Sequence, residues 1–511
     1  MVGLISCLTS RSQTSEKYLA PATGRLPMLL AGAACELIYL FYFVRGFPLL
    51  QYYHGLFDLG GITGRSHQGF AAFTAMVGLL YILFGFAWWK TVNLTGRCTL
   101  WTILGFGGLF ALTMTFVYPI TAIDVFAYID QSLILLQYHA NPMVVPPSHY
   151  SFDPLMALSG GWSGAAAPYG PLGILIDALP TVLAGRNLLA NLILLKLMFS
   201  AMVVAEAYLV YKVMAHLAPK WALSGALFVA WNPLVVFEYS ANAHNDIAMM
   251  LFFSVATLFL ANGRLKLAVV ALTASALVKY ASIILMPLFF VYLMTRKSLL
   301  RRRLIGAAGA LSAGLALVAV AYAPFWDGPR VVGQLLSQNN RYLDSFSSVV
   351  ASDFSASFTA DRAAMLGRIL FLPFYAYALQ LSTKRLPDLL RGCYVAMFFF
   401  LALAATTFET WYAIWVILPA ALVPGVVGQV SILLFACGAT LSAAVYAFLW
   451  PWLGVSNPAG FALANRAAYL MTFGPATLLL LAVGLVRGVT RVWAGLRNVL
   501  RTLSLGILTF K

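Results

Sequence analysis

The residues of this chain whose types and settings could do chemistry are Asp124, His244, Asn245, Asp246, Lys279 and Arg341. Asp124 stands at the edge of an apolar run, in Tyr118-Pro119-Ile120-Thr121-Ala122-Ile123-Asp124-Val125-Phe126-Ala127-Tyr128. A carboxylate there is expensive unless solvated or paired, which makes it a functional candidate. Tyr128 lies four residues on and shares its face in a helix. A helix cap or an interfacial carboxylate is the plainer alternative. Farther along come His139-Ala140-Asn141-Pro142, Trp162 and Pro168-Tyr169-Gly170-Pro171. Prolines and glycines at this density build a fixed turn. Tyr169 and Trp162 could present aromatic faces to a sugar ring, or form an interfacial aromatic belt.

Trp231-Asn232-Pro233 and Glu238 precede Asn242-Ala243-His244-Asn245-Asp246. Consecutive helical residues point about 100° apart, so one metal could not readily take His244, Asn245 and Asp246 from a regular helix. Hydrogen bonds to hydroxyls or a phosphate suit the cluster better; a structural polar cap is the alternative. Lys279 interrupts the apolar stretch Ala276-Leu277-Val278-Lys279-Tyr280. Ala323-Pro324-Phe325-Trp326-Asp327-Gly328 opens a second polar loop holding Asn339, Asn340 and Arg341, the last a second candidate phosphate ligand. Phe408-Glu409-Thr410-Trp411-Tyr412, with Trp415, reads on its own as an interface anchor.

These residues need elements to hold them, and composition says which. Of 511 residues, 62% are hydrophobic and 9% charged, against about 25% charged in soluble domains. A soluble, fibrous or disordered protein is excluded, and so is a β-barrel, whose apolar residues alternate. What remains is an all-α, polytopic transmembrane bundle. Helix-length apolar runs fall near 27–44, 70–89, 98–119, 190–211, 221–238, 246–261, 265–278, 280–295, 304–323, 363–382, 389–407, 411–427, 429–450 and 466–486, or about 14 spans. The pair around Lys279 is a tight hairpin or one broken helix. Residues 1–26 form a basic lead carrying Arg11, Lys17 and Arg25, residues 27–486 the membrane domain, and residues 487–511 a basic tail.

The net charge is +16, from 32 basic and 16 acidic residues. Membrane proteins place such an excess on cytoplasmic loops, so nucleic acid is not expected as a partner. Basic residues gather in the lead and tail and in loops such as Arg296, Lys297 and Arg301 to Arg303, whereas residues 121–171 contain neither Lys nor Arg. Both termini are therefore expected inside, with the long loops near 120–189 and 324–362 outside. Segment 172–189, with Asp177 and Pro180, is expected to dip in without crossing. Lys279 then faces outside, against the charge trend, where a phosphate would account for it; a snorkelling lysine is the alternative. Cys7, Cys35, Cys98, Cys393 and Cys437 show neither metal nor disulfide spacing and are expected as packing residues. With acid, His-Asn-Asp cluster, lysine and arginine on one face, the pattern describes a site for an anionic, lipid-linked substrate. The absence of a Gly-rich phosphate loop argues against a soluble nucleotide-sugar.

The order Asp-Val-Phe-x-Tyr, Asn-Pro, Pro-Tyr-Gly-Pro-Leu, Trp-Asn-Pro-Leu, His-Asn-Asp, Leu-Val-Lys-Tyr, Ala-Pro-Phe-Trp-x-Gly and Trp-Tyr-x-x-Trp resembles GT-C glycosyltransferases. It is most similar to bacterial α-mannosyltransferases that use polyprenyl-phosphate-mannose, over about Tyr118 to Trp415. The resemblance implies a multi-pass enzyme of the cell membrane with an extracytoplasmic site. Such an enzyme moves a hexose, here mannose, with inversion, from a polyprenyl-phosphate donor to a glycolipid or glycan acceptor. It implies Asp124 as catalytic base, His244, Asn245, Lys279 and Arg341 on the donor phosphate, and Tyr128, Tyr169 and Asp246 on substrate. No cofactor is expected, and Asp124, which has no adjacent acid and stands six residues from Asp130, argues against a bound metal. The alternative reading is a lipid-linked saccharide flippase or transporter, for which Glu36 and Glu206 would be the intramembrane charges.

Overall fold

The computed structural model describes residues 25–295, 300–333 and 341–508. The lead as far as residue 24, Arg296 and Lys297, and Asn339 and Asn340 lie outside the described residues. Among the described residues the chain is predominantly helical, with no strand beyond isolated bridges. That follows from the apolar runs: a backbone in lipid must satisfy its own hydrogen bonds, and a helix does so within one segment. The outward faces stay apolar, with Leu30, Ile82, Leu315, Val320, Leu478 and Leu485 exposed.

Nine of the described helices are long and apolar enough to cross a membrane: Leu26–Val44, His67–Thr91, Arg97–Met114, Leu188–Leu217, Leu304–Phe325, Ala360–Ser382, Leu386–Ala404, Val426–Leu453 and Pro458–Val486. A tenth would be the bent pair Pro219–Ala230 and Pro233–Ala241, broken by 44°. The remaining apolar runs form shorter helices, Asp246–Ala261, Leu265–Val278, Tyr280–Met294 and Thr410–Ala421. At 1.5 Å per residue these reach roughly 18–24 Å, less than a hydrocarbon core of about 30 Å. The expected runs are thus all helical, but the short ones surround the site instead of reaching the full span length. Pro171–Ala184, the segment expected to dip in, is likewise a short helix with Pro180 inside it.

The breaks have local causes. Asn232 leaves the helix in an extended conformation, and its side chain accepts a hydrogen bond from Leu234 N at 3.1 Å. Pro233 then opens the next helix, where its missing N–H costs nothing. Trp231 fixes the corner by donating to the Ile103 carbonyl at 2.9 Å. At Lys279 the chain is again extended (φ −148°, ψ 129°) between the helix Leu265–Val278 and the 3-10 turn Tyr280–Leu285.

The final helix runs on from Pro458 to Leu508, through most of the expected tail. Buried Lys196 donates to the Val117 carbonyl, just ahead of the segment that leads to Asp124. Glu206 is capped by Ser254, and Glu36 accepts from Thr113 at 2.5 Å. One cysteine departs from expectation. Cys35, Cys393 and Cys437 are free, the first two buried, but Cys98 is disulfide-bonded. Spacing along the chain could not reveal that pairing.

Candidate active site

A cavity of about 300 Å³ opens where the short helices and the two long loops meet. Asp124, Gln131, Trp162, Tyr169, Lys279, Arg341, Glu409, Trp411, Tyr412 and Trp415 line it. Asp124 is the first residue of the helix Asp124–Leu136. The helix N-terminus favours a negative charge there. Its carboxylate makes no hydrogen bond to another side chain among the described residues, and it is only 6% exposed. Burial raises its pKa to about 6, against the opposing pull of Lys279. A carboxylate poised near neutrality and open to a cavity has the properties of a general base.

The chain break carries Lys279 into the same cavity. Its ammonium donates to both carboxylate oxygens of Asp246, each at 2.9 Å. Asp246 is fully buried at the start of the helix Asp246–Ala261, and it also accepts from Trp415 Nε1 at 2.6 Å. Expected on substrate, Asp246 does not line the cavity; it holds the lysine. The Lys279 ammonium lies 4.8 Å from the ring centre of Tyr412 and 5.5 Å from that of Tyr169. Tyr412 stacks on Trp415 at 4.3 Å. The Trp-Tyr-x-x-Trp run, read alone as an interface anchor, is therefore part of the cavity wall.

The turn Pro168-Tyr169-Gly170-Pro171 seats directly on this break. Gly170 N donates to the Val278 carbonyl at 3.1 Å. A Cβ on Gly170 would lie 2.0 Å from the Leu277 carbonyl oxygen, so glycine is what permits the approach. Asn141 ties the two long loops together, its amide donating to the Phe325 carbonyl at 2.6 Å.

Arg341 and Glu409 arrive together. Leu343 and Thr407 form a parallel bridge, in which Phe408 N donates to the Leu343 carbonyl at 2.9 Å and Thr407 Oγ1 to the Arg341 carbonyl at 2.7 Å. The Arg341 guanidinium is 3.4 Å from the Glu409 carboxylate and 4.6 Å from the ring centre of Trp162. Burial raises the Glu409 carboxyl to about 7, opposed by Arg341. Glu409 lines the cavity with Trp162, Trp411, Tyr412 and Trp415, all named by their motifs but not expected in the site, and with Gln131, which no motif marks. The pairing of Glu409 with Arg341, 68 positions away, leaves no local signal. The kink that presents Trp162 rests on Gly160, at φ +54° and ψ −122°, a conformation that side chains other than glycine's rarely adopt.

Besides Asp246, three expected site residues do not line the cavity. His244 and Asn245 are fully buried behind it. The His244 ring stacks on Trp411 at 4.0 Å, and Nε2 is 4.0 Å from Glu238. Burial and the Lys279 charge hold this imidazole well below its usual pKa, so it is neutral. Asn245 donates to Asp177 at 2.9 Å. Tyr128 packs edge-on beneath Tyr169, with ring centres 5.4 Å apart.

Comparison with known proteins bears on this arrangement. Residues 51–296 match the profile "Alpha-(1->6)-mannopyranosyltransferase, N-terminal domain" of the MptA_B family. The chain is also similar to alpha-(1->6)-mannopyranosyltransferase A of Mycobacterium tuberculosis, 26% identical over 178 residues. That alignment spans 35% of this chain and 34% of the relative, so about a third of the relative's length is matched. The profile match takes in Asp124, Tyr169, the His-Asn-Asp run and Lys279, and it bears out the resemblance of this chain to GT-C type mannosyltransferases.

Proposed function

We propose that this protein is an inverting mannosyltransferase that takes mannose from a polyprenyl-phosphate donor and passes it to a glycan or glycolipid acceptor on the extracytoplasmic face. The observation that carries the reading is the sharing of one cavity by a buried carboxylate, Asp124, that bonds no other side chain among the described residues, and an anchored lysine, Lys279. The mannose assignment is supported by the names of the similar proteins. In the reaction the acceptor hydroxyl oxygen bonds to the anomeric carbon, while the bond from that carbon to the phosphate oxygen breaks. The bonding pair leaves with the phosphate, and the hydroxyl proton passes to the Asp124 carboxylate. Lys279 meets the charge that develops on the leaving phosphate, usually a large catalytic term. His244 and Asn245 act from behind the wall, by fixing Trp411 and the start of the Asp246 helix.

A lipid tail has a place beside this site. Tyr280 lines the polar cavity, and its hydroxyl lies 2.6 Å from that of Tyr322. Beyond that pair lie apolar recesses of about 340 and 510 Å³, walled by residues such as Val318, Trp326, Ile283, Phe290 and Leu315. Prenyl carbons there would exchange one apolar surrounding for another, so the recesses would position the tail and add little hydrophobic driving force. The test is incubation of the purified protein with radiolabelled polyprenyl-phosphate-mannose and a mixed glycolipid acceptor pool. Label in an acceptor, with inverted anomeric configuration, is the expected result. Intact donor recovered in full after incubation with every acceptor would overturn the donor assignment.

A further inference from the structure

The two cations of the cavity stand in different chemical settings. Lys279 is a point charge held by Asp246 behind the wall, among the rings of Tyr169 and Tyr412. Arg341 is matched within the wall itself by the Glu409 carboxylate, and the ring of Trp162 covers its guanidinium. A phosphate drawn to Arg341 would have to sit against Glu409, with Asp124 lining the same cavity. Two carboxylates beside one guanidinium make a poor seat for an anion. They make a good seat for a polyol. Planar guanidinium and carboxylate groups can each grip neighbouring hydroxyls with two hydrogen bonds. The buried amide of Gln131 adds donors and an acceptor, and the Trp162 ring offers an apolar face.

We propose that Trp162, Arg341, Glu409 and Gln131 form a subsite for a neutral hexopyranose unit, separate from the phosphate site at Lys279 and opening onto the same Asp124. This moves Arg341 from the donor phosphate, where sequence position put it, to the sugar that is extended. Calling that sugar the acceptor rests on the transferase reading; the binding of the sugar does not. The class recognised is a short chain of neutral hexopyranoses. Glu409 and Arg341 read vicinal hydroxyls, and Trp162 reads the C–H face of the ring. A site built to pair hydroxyls discriminates strongly against analogues lacking them, because its own polar groups are then left unpaired.

The test uses the full-length protein in detergent, without donor. Titration calorimetry measures binding of α-(1→6)-linked mannotriose and, separately, of polyprenyl phosphate. Wild type should bind both. Trp162→Ala and Glu409→Gln should each weaken the trisaccharide about tenfold or more, and Trp162→Phe should recover most of the loss because it keeps an aromatic face. Lys279→Gln should weaken polyprenyl phosphate and leave the trisaccharide within about twofold. No trisaccharide binding by wild type would overturn the subsite. So would a loss of polyprenyl-phosphate affinity in Trp162→Ala and Glu409→Gln as large as in Lys279→Gln, which would return Arg341 to the phosphate. Should wild type bind the trisaccharide but transfer no mannose, the transferase reading falls and the sugar subsite stands.

Discussion

Gly170 is where the account can be challenged through geometry alone. Its backbone, at φ −72° and ψ 162°, is open to any residue, so nothing about conformation requires glycine there. Space does. An added Cβ would sit 2.0 Å from the Leu277 carbonyl oxygen and 2.5 Å from its carbon, and real Cβ contacts begin at 3.0 Å. Gly170→Ala must therefore push the turn and the Lys279 break apart by about 1 Å, and misplacement on that scale costs about 10² in rate. The overpacking itself should cost about 1–3 kcal/mol of stability. The assay is mannose transfer from labelled donor, with solubilised yield and thermal melting as controls for folding. Gly164→Ala is the matched comparison in the same loop: a Cβ there meets nothing within 4 Å, and its activity should match wild type. A Gly170→Ala protein with wild-type turnover and melting would refute the claim that this contact positions Tyr169 and Lys279.

Other outcomes follow from the same geometry. The Asp124 carboxylate must be deprotonated to accept a proton, so kcat/KM should climb through about pH 6 and then level off; a flat acid limb would remove this carboxyl from the step. Trp415→Phe deletes a hydrogen bond to a buried charge, which should cost about 1.5–3 kcal/mol of stability and weaken donor binding by loosening Asp246; unchanged melting would contradict it. Lys279→Met leaves Asp246 buried without its cation and should cost about 3–5 kcal/mol. Adding Asp246→Leu should restore most of that stability but none of the transfer, and a double variant that regained activity would show that the pair is structural.

Half of the residues expected in the candidate site line its cavity, Asp124, Tyr169, Lys279 and Arg341, and Asp124 and Lys279 are legible because each sits where an apolar run ends. The hydrophobic pattern and loop charges put Asp124, Tyr169 and Lys279 on one membrane face, and the structure brings them into one cavity; Trp231-Asn232-Pro233 is a helix corner. The span count was less legible. Apolar runs show where helices form, but a run such as 265–278 reads alike whether it crosses a bilayer or stops at a bend. Side-chain direction was not legible either. His244, Asn245 and Asp246 stand next to one another in sequence, yet they face a tryptophan ring, a carboxamide–carboxylate bond and the lysine, all behind the wall. Glu409 and the aromatic residues after it were misjudged because their partners, Arg341, His244 and Asp246, lie 68 or more positions away.

The most direct test of the central claim is transfer by Asp124→Asn. The amide keeps the shape of the carboxylate and removes its ability to accept the acceptor's proton. Measured beside wild type with labelled polyprenyl-phosphate-mannose, the variant should bind donor within a few-fold of wild type, while turnover falls by about 10²–10⁴. Wild-type turnover in Asp124→Asn would contradict the assignment of Asp124 as the base.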